Sequence, residues 1–247
     1  MEIKDVLGVG PVAEAGKRVV DSALDAASAF LSRICLPASE EFGLLLRDKV
    51  KAWRASNALK IAVKAEHLHA AIQSTAETHA HPRLVGQIIE HGSWSDSEEV
   101  QTMWAGLLAS SCTIDGQDES NLMFIDLLSR LTVSQVRIID HGCKTARVRK
   151  VENGLLYPDD LACTLDELKA VSLTNDLHRL DRELDHLLSI GLLSRNRAGF
   201  HIYQPHTVYL TPSPLALQMY TRCNGVVGDP THYYARLGTL ITNEPAG

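Results

Sequence analysis

Residues 42–72 read FGLLLRDKVKAWRASNALKIAVKAEHLHAAI, a stretch without proline and with one glycine near its start. Asn57 interrupts an apolar pattern of helical spacing, and six Lys or Arg residues lie between Arg47 and Lys64 against one acid, Asp48. The spacing predicts one long helix with a basic face and an apolar stripe, formed by Phe42, Leu46, Val50, Trp53, Ile61, Ala65, Leu68 and Ile72. We expect the rest of the chain to be organised around this helix.

The composition is that of an ordinary folded protein, with 247 residues of which 45% are hydrophobic and 22% charged. A net charge of −6 argues against a dedicated nucleic-acid binder. The five cysteines are odd in number, widely spaced and without a CxxC pair, so we interpret them as buried free thiols in a reducing cytosol. The sequence shows no signal peptide, and no apolar stretch approaches the length of about 18 residues that a membrane-spanning helix needs. We therefore predict a cytoplasmic protein.

The segment before the long helix, residues 11–34, also has helical spacing, and Pro11 suits a first helical turn. Its broad apolar face favours packing against the long helix. The alternative is a helix in a membrane interface, but such helices usually carry a polar face rich in Lys and Arg, and this polar face is charge-balanced. Ser39 is the expected N-cap of the long helix, and the His81-Pro82 pair marks its expected end.

Helical signals continue to residue 131. Ser95 and Glu98 have the spacing of a capping box, which predicts that a helix begins there. A polar turn is expected at residues 113–120, followed by an amphipathic helix over residues 121–131. We therefore predict a helical domain over residues 1–131.

The pattern changes at Thr132, which forms a second capping box with Gln135. Gly142 is the expected end of that helix, and residues 144–150 are interpreted as a basic connector. A short helix is then expected at the capping box of Thr164 and Glu167. Two more are expected: one over residues 175–190, which starts at Thr174 or Asn175, and one over residues 215–223, which Thr211-Pro212 opens.

Two strand-like segments, residues 192–194 and 208–210, follow Gly191, the expected end of the helix over residues 175–190. Three helices, a strand, a loop, a strand and a closing helix are the order of a winged helix-turn-helix. The predicted fold is therefore mainly α: an N-terminal helical bundle with one long helix, a winged helix-like domain over residues 132–225, and a C-terminal tail over residues 226–247 with a short helix near residues 233–240.

Two passages resemble the Abi-alpha (abortive infection alpha) family of prokaryotic proteins. In the first, Gly43, Leu46, Asp48, Val50, Trp53, Arg54 and Asn57 match the family pattern G-x-x-L-x-D-x-V-x-x-W-R-x-x-N. In the second, residues 95–110, an acidic lead precedes Trp104, Ala105, Leu107, Leu108 and Ala109, which match the family's W-A-x-L-L-A. Val100 replaces a leucine, and Gly106 replaces a small polar residue. The resemblance covers about residues 12–141 and the winged helix beyond; it implies phage defence by abortive infection and no known catalytic residues.

Five residues of these passages are candidates for an interaction or structural motif: Trp53, Arg54, Asn57, Glu98 and Trp104. One interpretation is a core in which Trp53 packs on Trp104, Arg54 pairs with Glu98 or Glu99, and Asn57 caps a neighbouring helix. The other is a recognition face for a phage component or a partner subunit, since Asn57 lies four residues from Trp53 and three from Arg54, the spacing of a shared helix face.

The basic residues form a second set of candidates, for contact with a polyanion: Arg47, Lys51, Arg54, Lys144, Arg147, Arg149 and Lys150. In one interpretation these residues lie in water, and the acidic residues Asp96, Glu98 and Glu99 compensate their positive charge. In the other they attract nucleic acid or anionic lipid. The candidate recognition helix, residues 175–190, is net acidic, which favours docking to protein or dimerisation over reading of DNA.

No arrangement typical of catalysis, metal binding or cofactor binding is present in the sequence. In His67-x-His69 and His79-x-His81, the two histidines of each pair would point to different sides of a helix, so neither pair can chelate a metal as HxxxH does. Gly8-Val-Gly10 is too short for a phosphate loop. We therefore expect no enzyme activity, no metal and no cofactor.

The predicted function is phage defence by association with protein or nucleic acid. The expected partners are a second copy of the chain, in a homodimer or higher homo-oligomer, and an unknown phage or host protein; nucleic acid and a membrane surface are less favoured. The alternative from another class is a winged-helix DNA-binding transcription regulator.

Overall fold

The computed structural model describes residues 25–27, 29–35, 49–71, 77–201 and 204–241. Its longest helix, α1 (Lys49–Ala71), packs along α3 (Glu98–Ser110), and its buried face is rich in alanine. Ile61 and Ala65 of the predicted stripe are fully buried, but Trp53 is 39% exposed, so its place in the stripe is wrong. The small face of Ala58, Ala62 and Ala65 lets the two helix backbones approach closely. Residues 36–48 and 72–76, with the predicted N-cap and both ends of the stripe, lie outside the described residues.

The region between α1 and α3 holds a short strand and a helix. Strand β1 (His79–Ala80) pairs antiparallel with β2 (Cys112–Thr113), and α2 (Pro82–Gly92) follows β1 directly. The imidazole of His81 accepts a hydrogen bond from the Arg83 amide, so His81 is the N-cap of α2 and Pro82 is its first residue. The His81-Pro82 pair therefore begins a helix.

The start of α3 differs from the predicted capping box. Its N-cap is Ser97, whose hydroxyl accepts from the Val100 amide, and not Ser95. Glu98 cannot complete a box because its carboxylate pairs with Lys64 of α1 at 2.6 Å. The carboxylate of Glu99 instead accepts from the Ser97 hydroxyl at 2.7 Å.

The place of Gly106 in α3 explains its departure from the family pattern. A Cβ atom added there would lie 1.8 Å from the carbonyl oxygen of Cys223, the last residue of α8 (Pro214–Cys223). The backbone of α8 therefore rests directly on α3, and a side chain of any size at residue 106 would separate the two helices.

Helix α4 (Leu122–Ser129) begins after the predicted polar turn and is shorter than the predicted range of 121–131. Its N-cap residue, Asn121, is buried and donates from its side-chain amide to the hydroxyls of Ser110 and Ser111 at 3.1 and 2.9 Å. These bonds tie the start of α4 to the end of α3.

Helix α5 (Val133–Thr145) confirms the capping box of Thr132 and Gln135 but not its predicted end. The helix continues three residues past Gly142. Gly142 serves packing there, since a Cβ atom would lie 3.1 Å from the carbonyl oxygen of Leu210. The basic connector predicted at residues 144–150 is the end of α5 together with strand β3 (Val148–Lys150).

Strand β3 is the centre of a small sheet that also uses the end of the chain. It pairs antiparallel with β4 (Leu156–Pro158) and parallel with β8 (Leu240–Ile241). Helix α9 (Thr231–Leu237) precedes β8 and carries the fully buried Tyr234. The segment described as a tail from the sequence thus contributes a helix, a strand and a core side chain up to residue 241.

A second three-stranded sheet has the strand order β5-β7-β6, formed by β5 (Ala162–Thr164), β7 (Gln204–Pro212) and β6 (Leu193–His201). Helices α6 (Leu165–Ser172) and α7 (Leu177–Ser189) lie between β5 and β6 in the chain. Thr164 and Glu167 form the predicted capping box of α6.

Three boundaries in this part differ from the sequence predictions. The N-cap of α7 is Asp176, and not Thr174 or Asn175. The N-cap of α8 is Ser213, with Pro214 as the first helical residue, and not Thr211-Pro212. Strands β6 and β7 are each nine residues long, since the hairpin ladder continues well beyond the predicted segments. Gly191, with φ of 76°, ends α7 as predicted.

The fold is mainly α, as predicted, with small sheets in the described residues. One hydrophobic cluster runs from Phe30 through α1, α3 and α5 to Tyr234. The five cysteines are free and buried, as predicted. Across the described ranges, no helix has the length and apolar character needed to cross a lipid bilayer. The division at residues 131 and 132 stays a prediction.

Candidate functional site

Two tryptophans lie side by side in solvent where α1 meets the end of α2. Trp53 is 39% exposed and Trp94 54%, and their ring centroids are 6.4 Å apart with the planes inclined at 60°. The guanidinium carbon of Arg54 lies 4.4 Å from the centre of the Trp94 ring, which is cation–π distance. Glu90 pairs with Arg54 at 2.7 Å and accepts from the Trp94 indole N–H at 3.4 Å. We call Trp53, Arg54, Glu90 and Trp94 the Trp53–Trp94 surface.

A buried polar network lies directly beneath this surface. The side-chain amide of Asn57 donates to the carbonyl of Ser93 at 3.1 Å, and the Nε of Arg54 donates to the Ser93 hydroxyl at 3.0 Å. Gln101 of α3 donates to the Asn57 side-chain oxygen at 3.2 Å and to the carbonyl of Ser95 at 2.9 Å. Asn57 and Gln101 are 2% and 0% exposed. The network therefore fixes the backbone on both sides of Trp94.

The local sequence brings these groups together through the end of α2. A Cβ atom at Gly92 would lie 2.8 Å from the Cδ1 of Ile61 and 3.0 Å from the Trp104 ring, so glycine allows the last turn of α2 to reach α1. Ser93 is the C-cap residue of α2. The bond from Asn57 to its carbonyl satisfies a helix-end acceptor, which confirms the interpretation that Asn57 caps a neighbouring helix.

The charges of the surface compensate each other. The hydrogen bond from Arg54 is the main reason why the pKa of Glu90 is lowered, and the indole N–H and His91 act in the same direction. Around this neutral pair, α1 is strongly basic, with five Lys or Arg residues and a single acid, Glu66. Lys60 lies on the exposed side of α1 and makes no ion pair with a described residue.

Two contacts of the core interpretation are wrong. Trp53 does not pack on Trp104, which is 2% exposed and stacks on His91 with 6.3 Å between ring centroids. Arg54 pairs with Glu90, whereas Glu98 pairs with Lys64 and Glu99 with Arg137 of α5 at 2.8 Å. Sequence patterns did not indicate a role for Glu90, Ser93, Trp94 or Gln101, because these roles depend on how α2 and α3 meet α1.

The predicted polyanion-contacting residues are mostly ion-paired within the chain. Arg54 pairs with Glu90, and three further pairs are Lys144 with Asp140 at 2.9 Å, Arg149 with Asp159 at 2.7 Å and Lys150 with Asp229 at 3.6 Å. Arg147 is exposed and has no ion pair within the described residues. Arg47 and the side chain of Lys51 lie outside the described residues. Ion pairs therefore compensate four of the five charges of this set whose side chains the structure describes.

The predicted histidine pairs contribute to local structure. His69 hydrogen-bonds the Thr78 hydroxyl at 2.7 Å, and burial followed by the Arg33 charge lowers its pKa. His81 caps α2. In the ranges that the structure describes, no three His, Cys, Asp or Glu side chains converge as ligands for a metal ion.

A cleft of about 560 Å³ lies between α3, α5 and α8. Met103, Val136 and Tyr220 form part of its lining and are almost fully buried. Charged groups also line it, and they are paired: Glu99 with Arg137 and Asp140 with Lys144, while the Tyr220 hydroxyl donates to Asp140 at 2.8 Å. The hydrogen bond from Ser97, a backbone hydrogen bond and Arg137 lower the pKa of Glu99 to about 2. The pair of Glu99 with Arg137 links α3 to α5, and the hydrogen bond of Tyr220 links α8 to α5.

Comparison with known proteins identifies the family. A sequence model described as "Abortive infection alpha" matches residues 55–210, which is more than half of the chain. No curated protein and no solved structure matches the chain. The match begins two residues before Asn57, contains the whole second motif and extends to strand β7. It therefore starts later than the expected start near residue 12 and, as expected, continues past residue 141. The chain belongs to the abortive infection alpha family, and this membership implies phage defence by abortive infection.

Proposed function

We propose that this protein acts in abortive infection by binding protein through the Trp53–Trp94 surface, and not by making or breaking covalent bonds. The observation that carries the proposal is the buried network of Asn57, Ser93 and Gln101, which fixes the backbone of Trp94 where its indole lies exposed beside that of Trp53. Buried amide side chains are costly unless their hydrogen bonds are made. A fold needing only stability would place an apolar residue at Asn57 and turn the indoles inward.

The residue types at the surface support protein binding. Tryptophan and arginine are enriched among the residues that dominate the binding energy of protein interfaces. Arg54 is held over the Trp94 ring by its bonds to Ser93 and Glu90, so little side-chain entropy remains to be lost on association. The Arg54 charge is already compensated by Glu90, so a partner need not supply an acid to cover it.

We further propose that residues 132–225 form a winged helix-like unit that docks protein. In chain order, α5 is followed by β3 and β4 and then by β5, α6, α7, β6 and β7. The last five of these elements, together with α5 and the sheet order β5-β7-β6, support a winged helix. The exposed side of α7 carries Asp181, Arg182 and Asp185, none of which makes an ion pair with a described residue. An acidic excess on this helix opposes entry into a DNA groove. The proposed site of action is the cytoplasm, where the buried free thiols remain reduced.

A phage infection assay with paired variants tests the proposed surface. We expect Trp53→Ala with Trp94→Ala to abolish protection, measured as plaque number, while the thermal melting temperature falls by only a few degrees, about the shift given by 1–2 kcal/mol. Met123→Ala is the matched control, because Met123 is 52% exposed and lies on α4. Full protection by a folded double variant would overturn the proposal.

The second candidate, a DNA-binding regulator, is favoured by the strand and helix order alone. Fluorescence anisotropy with duplex DNA over a series of salt concentrations separates the two candidates, since phosphate contacts make DNA affinity fall with salt. If α7 does not read DNA, Asp181→Ala with Asp185→Ala leaves any DNA affinity unchanged or raises it. Loss of affinity in that variant would support the regulator. Glu183 is not suited to this test, because its buried carboxylate accepts from the Thr132 hydroxyl at 2.8 Å.

A further inference from the structure

We propose that the Trp53–Trp94 surface of one copy binds the exposed side of α7 on a second copy, in a head-to-tail contact. The inference rests on the proposed function, because it names the partner of the same surface. The α7 face is defined by Leu173, Leu177, Asp181 and Asp185. Three observations carry the inference: exposed leucines in a costly position, opposite charge on the two faces, and the neutral centre of the Trp53–Trp94 surface.

The leucines of the α7 face are unusually exposed. Leu173 is 69% exposed and Leu177 45%, and they lie four residues apart around the turn into α7. Leu173 has a φ of 55° and a ψ of 36°, the left-handed region that favours glycine. Leucine at this position costs backbone strain and leaves a large apolar side chain in water. A contact that covers the side chain accounts for both costs.

The charges of the two faces are complementary. Of the Lys and Arg side chains of α1 that the structure describes, those of Arg54 and Lys64 are paired within the chain, and that of Lys60 is exposed without an ion pair to a described residue. Asp181 and Asp185 are in the same state on α7. Arg182 also lies on the α7 face, so the acidic excess there is partial. A contact between these faces brings unlike charges together around an apolar centre of two indoles and two leucines.

A self-paired contact fits the charges less well. In a two-fold interface each face meets its own copy, so Lys60 would oppose Lys60 and the aspartates of α7 would oppose aspartates. In a head-to-tail contact each face meets the opposite charge. A pair of copies then retains one free face at each end. Such a contact therefore adds further copies unless it closes into a ring.

The test uses two full-length variants, each with substitutions on one of the two faces. The first is Trp53→Ala with Lys60→Glu, and the second is Leu173→Gly with Asp185→Lys. We expect each to weaken self-association by about tenfold or more, the effect of losing at least one interface residue worth over 1 kcal/mol. Light scattering with size exclusion should then show the 27.1 kDa monomer for either variant alone.

Mixing the two variants is the decisive measurement. The first variant keeps an intact α7 face and the second an intact Trp53–Trp94 surface, so a one-to-one mixture should form a discrete dimer and nothing larger. Leu173→Gly also serves as its own folding control, since glycine suits the left-handed backbone and the melting temperature should not fall. A mixture that remains monomeric would overturn the head-to-tail geometry.

Two further outcomes would also overturn the inference. One is a wild-type protein that is monomeric at ~100 µM, where contacts with micromolar dissociation constants are formed. The other is a variant on the α7 face, Leu173→Gly with Asp185→Lys, that self-associates as strongly as the wild-type protein. If that variant also protects fully against phage while the double tryptophan variant does not, the inference fails and the proposed function stands. If the double tryptophan variant protects fully, the proposed function fails.

Discussion

Trp104 and the pair of Trp53 and Trp94 show two uses of tryptophan within one small region. Trp104 is 2% exposed, belongs to the continuous core and stacks on His91. Trp53 and Trp94 remain 39% and 54% exposed. Apolar packing holds the first side chain, whereas hydrogen bonds of Arg54 and Asn57 to Ser93 fix the backbone that carries Trp94.

The difference in exposure separates the tryptophan that serves stability from the two that are free for binding. Replacement of a core indole leaves a cavity, which lowers the free energy of unfolding. Replacement of an exposed indole leaves none, so its main effect falls on whatever it contacts outside the chain. Stability and phage protection should therefore respond to different tryptophans.

Trp104→Ala should have the largest effect on stability. We expect the free energy of unfolding to fall by about 3–5 kcal/mol, the range for a large aromatic side chain removed from a core. Urea unfolding followed by circular dichroism measures it. A loss no larger than that of Trp53→Ala would remove the distinction between the two environments.

Gly106→Ala should come next, with a loss of about 3 kcal/mol, because overpacking costs 1–3 kcal/mol and here the new atom meets backbone. The carbonyl of Cys223 cannot yield as a flexible side chain would, so α8 must move away from α3. Gly86→Ala is the control, since a Cβ atom at Gly86 meets nothing within 4 Å. Equal stability of the two variants would show that α8 does not rest on α3.

Asn57→Ala should lower the free energy of unfolding by about 2 kcal/mol, since the Ser93 carbonyl and the Gln101 amide each lose a buried partner. The loss should also free the turn that carries Trp94, and acrylamide quenching of tryptophan fluorescence should increase. Unchanged quenching would mean that the network does not position Trp94.

Trp53→Ala should cost only about 1 kcal/mol in stability, because the side chain is partly in water and its removal leaves no closed cavity. The cost of about 3–5 kcal/mol expected for a core residue would apply only if Trp53 lay in the apolar stripe. The comparison is sharpest when Trp53→Ala and Trp104→Ala are measured together for unfolding and for plaque number. The proposal requires that Trp53→Ala lose protection while it remains folded.

Glu99→Gln should give the smallest effect, and one that depends on pH. The pKa of Glu99 is lowered to about 2 in the folded chain, so its contribution to stability is present above the ordinary pKa of 4.5 and is lost as pH falls through about 2. At pH 6 we expect a loss below about 1 kcal/mol, because the pair with Arg137 is partly exposed. The difference from wild type in urea unfolding should shrink between pH 4.5 and pH 2.

Some local features could be predicted because they depend on neighbours in the chain. The capping boxes of Thr132 with Gln135 and of Thr164 with Glu167 are confirmed, since both of their bonds join groups three residues apart. The Thr132 hydroxyl also donates to the distant Glu183, but its oxygen still accepts from the Gln135 amide. The box of Ser95 with Glu98 failed because Lys64, 34 residues away, binds the Glu98 carboxylate. Gly142 failed as a helix end for a similar reason, because the glycine there makes room for β7.

The mainly α fold, the family and most helices could be predicted from the sequence, because helical periodicity and caps are local properties of the chain. Three contacts could be seen only in the folded chain: Trp53 lies in solvent beside Trp94, Arg54 pairs with Glu90, and Asn57 binds the end of α2. The partners in these contacts lie more than 30 residues apart and meet where Gly92 lets the last turn of α2 approach α1. Exposure depends on which helices cover a residue, and spacing along one helix cannot determine that.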